Sequence, residues 1–107
     1  MSVIVTDSGF GADDFDGQFV AIDEAEGALA LDLASDTDPD ALAGKLASAE
    51  MIRVDFPSFA DGRGFTIARR LRRMGYTGRL RAKGHVIADQ YAMARRSGFD
   101  EVEIDAA

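Results

Sequence analysis

Along the second half of the chain, short runs in which apolar and charged residues alternate are separated by stretches with helical spacing. In MIRVDF, residues 51–56, Ile52, Val54 and Phe56 share one side and Arg53 and Asp55 the other. RLRAK, residues 79–83, sets Leu80 and Ala82 against Arg79, Arg81 and Lys83. EVEID, residues 101–105, sets Val102 and Ile104 against Glu101, Glu103 and Asp105. A period of two is the mark of a strand with two unlike faces. ALALDL, residues 28–33, reads the same way through Leu29, Leu31 and Leu33. Between these runs the period lengthens. Asp38 is placed as an N-cap before Pro39, with Leu42, Leu46 and Ala49 at helical spacing, and Phe65, Ala68 and Leu71 form a second helical stripe.

RRMGYTGRL at 72–80 and RRSGFDEVE at 95–103 share two arginines, a variable residue, a glycine and an aromatic. Each reads as a helix-to-strand junction. Arginines in a last helical turn meet the negative end of the helix, and glycine supplies the left-handed residue that stops it. Strands alternating with helices predict an α/β fold, a small open and mostly parallel sheet of repeated βα units with right-handed crossovers. A parallel strand covered on both sides is apolar on both sides, so these one-sided strands predict helices mainly on one face, with strands in sequential order. The basic row at 79–83 is expected beside the acidic row at 101–105, on a face covered by the N-terminal segment or by a second subunit. The chain reads as a single domain over 1–107, with a variable N-terminal segment at 1–27 and the βα-repeat core at 28–107. Within 1–27, strands are expected at 2–6 and 19–22, joined by a polar loop rich in Gly and Asp.

Charge divides the chain. Residues 1–50 hold 12 acids against the single Lys45, and residues 51–107 hold 7 acids against 11 bases, so the halves carry about −11 and +4 within the total of −7. An acidic total argues against nucleic-acid binding, which depends on phosphate neutralisation; the asymmetry fits a protein partner or self-association. The chain contains no cysteine, which removes disulfides, thiolate nucleophiles and cysteine-ligated metals. No segment is long and apolar enough for a membrane span or a signal sequence, and a cytoplasmic location is expected.

Chemistry is sparse. DGRGFT, 61–66, stands between a strand and a helix, where a phosphate-binding turn belongs, but Ile67 replaces the third glycine of a dinucleotide fingerprint and the Lys-Ser/Thr pair of a triphosphate loop is missing. Two readings stay open: Asp61 caps the helix with Gly62 and Gly64 making the turn, or the helix amides and Arg63 hold an anion. GHVIADQ, 84–90, opens at the same carboxyl edge and brings His85, Asp89 and Gln90, with Arg81 beneath. A lone histidine among scattered carboxylates is a weak metal signal, so these residues either order loops or bind a small oxyanion; no metal and no cofactor is expected. ADDFDGQFVAID, 12–23, imitates a calcium loop but has Ala12 at the first ligand position and no flanking helices. Arg69, Arg70, Arg72 and Arg73 form a basic cluster, either a solvated face or a docking site for an acidic partner.

FPSFADGRGF at 56–65, ARRLRRMGY at 68–76, GRLRAKGHV at 78–86, Asp89 with Gln90, and GFD at 98–100 together resemble the domain-of-unknown-function 934 family, a bacterial family associated with assimilatory sulfite reduction. The resemblance spans about half the chain, from 55 to 104, and implies an oxidoreductase or an accessory protein whose partner is sulfite reductase or another sulfur-assimilation protein. His85 stands where members usually carry aspartate, and Ser97 where many carry cysteine, which removes a thiol mechanism there. Since no flavin, nicotinamide, haem or cluster motif accompanies the resemblance, protein docking is the leading expectation and any catalytic residue is unknown. A small-oxyanion enzyme or sensor and a homodimeric structural module are the alternatives.

Overall fold

The computed structural model of the protein describes residues 2–7, 9–12, 19–21, 30–42, 46, 49–56, 62–84 and 91–105. In chain order the elements are β1 (Ser2–Thr6), β2 (Gly9–Ala12), β3 (Phe19–Ala21), β4 (Ala30–Leu33), a 3-10 helix (Pro39–Leu42), β5 (Met51–Phe56), α1 (Arg63–Arg73), β6 (Arg79–Gly84), α2 (Tyr91–Ser97) and β7 (Glu101–Asp105). No helix among the described residues is long and apolar enough to cross a membrane.

The strands form one mixed, mostly parallel sheet in the order β2-β1-β7-β6-β5-β4-β3. Its centre is β1-β7-β6-β5-β4, with the short β2 and β3 at the two edges. β3 to β7 run parallel, each beside the next in sequence. The expectation of a sequential sheet is corrected at the other end, where β1 lies antiparallel beside β7, pairing Val3 with Ile104 and Val5 with Val102. β1 then turns back as a hairpin into β2, pairing Val5 with Phe10. β2 falls where a polar loop was expected, because GFGA is four residues long and half glycine, a weak strand former, and shows its strand character only through its partner.

One face of the sheet is apolar. Leu31, Leu33, Ile52, Val54, Phe56, Leu80, Ala82 and Val102 cluster with Phe65, Ile67, Ala68 and Leu71 of α1, Ala94 of α2, and Leu42 of the 3-10 helix. The described helices therefore pack on this face. Phe56 is its centre, 5.0 Å from the Phe65 ring and 5.8 Å from Phe99, the latter edge-on. In the stretch predicted as a longer helix from Asp38, a 3-10 helix occupies Pro39–Leu42, with the Asp40 amide donating to the Asp38 carboxylate at 3.0 Å. Residues 43–45 and 47–48 lie outside the described residues.

The repeated arginine-glycine-aromatic junctions close alike. The Tyr76 amide donates to Leu71 O at 3.0 Å and the Gly75 amide to Arg72 O at 3.1 Å; Phe99 to Ala94 O at 3.0 Å and Gly98 to Arg95 O at 3.1 Å repeat the pattern. This is a Schellman motif, and it requires the positive φ found at Gly75 (100°) and Gly98 (115°). Tyr76 and Phe99 are both buried, so each aromatic anchors the chain in the core as it enters the next strand.

The opposite face is charged and nevertheless shielded. The register sets Asp32 beside Arg53, Arg53 beside Arg81, and Arg81 beside Glu101, a single row across four strands. Arg81 is 0% exposed, Glu101 4% and Glu103 5%. Phe19 of β3 lies over this row, with the Arg53 guanidinium carbon 3.9 Å and that of Arg81 5.9 Å from its ring centre. An N-terminal residue thus contributes to the cover expected for this face.

Candidate functional site

Two places concentrate the residues singled out in the sequence: the charged face, and the carboxyl edge of the sheet where α1 begins. On the charged face, Arg53 donates from Nε and Nη2 to the two oxygens of Asp32 at 3.1 and 2.8 Å, and from Nη1 to Glu103 at 3.2 Å. Arg81 donates to Glu101 at 2.6 Å and to Glu103 at 2.9 Å. Arg79 completes the chain with two donations to the other Glu101 oxygen at 3.0 and 2.6 Å. Among the described residues three cations and three carboxylates alternate, so the like-charged neighbours Arg53 and Arg81 are bridged by Glu103. Burial opposes the Arg53 charge, but hydrogen bonding to Asp32 and the fields of Asp32 and Glu103 outweigh it and raise its pKa. Arg81, a candidate anion ligand, is therefore in the middle of β6 and holds carboxylates of its own chain.

At the edge, α1 starts at Arg63 with Gly62 in the N-cap position and no side-chain cap hydrogen bond. The N-cap position falls on Gly62; Asp61, the residue expected to cap, lies outside the described residues with His85, Asp89 and Gln90, as does most of the calcium-like stretch. The Phe65 amide already donates to Gly62 O at 3.2 Å. A Cβ on Gly64 would lie 2.4 Å from the Phe56 ring, so this glycine is needed to bring α1 down onto β5. Arg63 turns sideways and donates to Ser35 Oγ at 3.0 Å, on the loop after β4.

The basic cluster divides in the same way. Arg69 and Arg73 are exposed, and Arg70, also exposed, pairs with Asp40 of the 3-10 helix. Arg72 is turned inward, donating to Gly98 O (3.0 and 2.8 Å), Tyr76 O (3.0 Å), Gly78 O (2.8 Å) and Asp100 (3.0 Å). It clasps both helix-to-strand junctions at once. A Cβ on Gly98 would lie 2.7 Å from Arg72 Cγ, which adds a second reason for glycine there. Arg95, its counterpart in the repeat, donates to Phe99 O at 2.6 Å and pairs with Asp7 at 3.1 Å. Tyr91 donates to the same carboxylate at 2.7 Å, so a bond from Tyr91 first and Arg95 second holds the Asp7 pKa below its ordinary value. Burial and the neighbouring Asp7 push Tyr91 up to about 12. Tyr76, desolvated by burial, is raised as well.

Ser97, at the end of α2, is 2% exposed, and its hydroxyl has no hydrogen-bond partner among the described residues. No group of three metal-ligating side chains occurs among them either. A cleft missed by the sequence reading opens between the β4 loop and α1, lined by Ser35 and Thr37 on one side and Arg63, Thr66 and Arg70 on the other. Its signal was the hydroxyl-bearing stretch SDTDP directly after β4, at the edge where open α/β sheets present ligands.

Residues 30–107, all but the first two residues of the expected βα-repeat core, match the model of DUF934, described as a bacterial protein of unknown function. The chain belongs to this family. No curated protein and no solved structure matches it. Membership in DUF934 extends over β4, β5, both helices, β6 and β7, so the charged row, the paired junctions and the cleft all lie within the family's boundaries.

Proposed function

We propose that this DUF934 protein is a docking component rather than a redox catalyst, and that it serves assimilatory sulfite reduction by binding sulfite reductase or a neighbouring sulfur-assimilation enzyme. The observation that carries this reading is the outer surface of the helical layer. Arg69 and Arg73 of α1 and Arg96 of α2 are exposed and have no ion-pair partner among the described residues, in a chain of net charge −7. Met93 is the one large hydrophobic side chain exposed among the described residues, at 40%, and it lies on α2 with Arg96. An exposed apolar side chain on the same helical layer as unneutralised arginines suits an acidic protein surface. The resemblance to a family associated with sulfite reduction supplies the partner.

Co-purification of sulfite reductase with the tagged protein at low salt is the test. Retention should fall steeply at high ionic strength, and the charge reversals Arg69→Glu, Arg73→Glu and Arg96→Glu together should weaken it by at least about ten-fold, the equivalent of about 1.4 kcal/mol. Retention that ignores both, or unchanged reductase activity in cells lacking the protein, defeats the proposal.

A further inference from the structure

We propose that the cleft between the β4 loop and α1 is a binding site for a small organic oxyanion, one with a phosphate, sulfate or carboxylate head and a short apolar body. The cavity measures about 270 Å³, enough for a small metabolite and too little for a dinucleotide. It stands at the carboxyl end of β4, a different place from the arginines of the docking surface, and uses side chains rather than helix amides.

Two arginines, Arg63 and Arg70, are among the residues that line the cavity. Both have a partner in the protein, Arg63 in the hydroxyl of the buried Ser35 and Arg70 in Asp40. A guanidinium has five N–H donors in a planar fork; Arg70 uses Nη2 on Asp40, and a fork of five donors can serve a carboxylate and a second anion together. Thr37 and Thr66 add hydroxyls on the two walls, while Asp36, the only carboxylate among the described lining residues, is exposed. Ile67 and Pro39, both buried, supply an apolar wall. Paired, pre-positioned arginines select an anion of planar or tetrahedral oxygens, and preorganisation lowers the entropy cost of holding it. The apolar wall selects a ligand with a hydrocarbon portion over a bare inorganic ion.

Calorimetric titration of the full-length protein with phenyl phosphate and with inorganic phosphate, at matched ionic strength in chloride, tests the site. Phenyl phosphate should bind saturably and at least about five-fold tighter than inorganic phosphate. Arg70→Ala, an exposed position, should weaken it about ten-fold or more, in line with the loss of one charge-assisted bond. Arg63→Ala should do the same, whereas Arg73→Ala, on the same helix but outside the cleft, should leave affinity unchanged. Absence of saturable binding, or binding that survives both Arg63→Ala and Arg70→Ala, overturns the site. Equal affinity for the two phosphates overturns the organic-anion assignment. Failure of these experiments leaves the docking proposal intact, because the two rest on different arginines.

Discussion

The two faces of this sheet are buried by opposite means. Under α1 and α2, burial is apolar: Leu31, Ile52, Val54 and Leu80 are 0–1% exposed and need no partner beyond close packing. Across the sheet, Arg81 is as deeply buried, and it is tolerated there because Glu101 and Glu103 accept its hydrogen bonds at 2.6 and 2.9 Å. Apolar contacts lose stability in proportion to what is removed; an ion network loses it all at once when one member leaves a buried partner uncompensated. The comparison teaches that a one-sided hydrophobic pattern does not mean one-sided burial.

The comparison can be broken most severely at Arg81. Arg81→Ala should cost about 3–5 kcal/mol in urea unfolding, since it leaves two buried carboxylates underpartnered. Replacing Arg81, Glu101 and Glu103 together by Met, Leu and Leu leaves no buried carboxylate behind and keeps Arg53 on Asp32, so it should cost less than the single change; an equal or greater loss shows that Arg53 and Arg79 also need these carboxylates. Leu80→Ala, its neighbour pointing to the other face, should cost about 2–5 kcal/mol without any such rescue by a partner change. Gly64→Ala should cost about 1–3 kcal/mol because its Cβ enters the Phe56 ring. A stabilised Gly64→Ala variant would mean that the ring yields easily.

Ser97→Ala tests the one buried hydroxyl without a partner among the described residues. It should be neutral or raise stability by up to about 1 kcal/mol, and a clear loss would expose a hidden hydrogen bond. The smallest effect is at the edge where α2 meets the end of β1. Asp7 has a lowered folded pKa, so the stability it contributes is present above the ordinary value of 3.8 and is lost as pH falls through the lower folded value. Tyr91→Phe removes the first cause of that shift. The Asp7 pKa, followed by NMR titration, should then move up towards 3.8 and the acid-dependent part of the stability should shrink; an unmoved titration curve would assign the shift to Arg95 alone.

Much of the core was legible because local pattern and tertiary role coincide. Alternation located β5, β6 and β7, and the pairing of their charged sides followed, with Arg81 beside Glu101 and Lys83 beside Glu103. Gly75 and Gly98 marked both junctions, since a left-handed residue after basic ones has few other uses. The edge strand β2 was not legible, nor was the place of β1, because nothing within SVIVT names β7 as its partner. The candidate site fared less well. Arg63, Arg70 and Arg72 look alike in sequence, yet they meet Ser35, Asp40 and the Gly98 carbonyl, residues 28, 30 and 26 positions away. A contact at that separation depends on the packed geometry of several elements, and no local spacing encodes it.

By itself, then, the sequence determined the βα rhythm, the two unlike faces of the strands, the helix stops and the absence of thiol chemistry, all properties set by side-chain type and short-range periodicity. Only the tertiary structure decided that β1 returns beside β7, that the charged face is closed over a chain of alternating ions, and that one arginine of the basic cluster clasps two junctions while others face outward. Those outcomes depend on which charges and carbonyls are brought within about 3 Å of each other, the range at which a hydrogen bond forms.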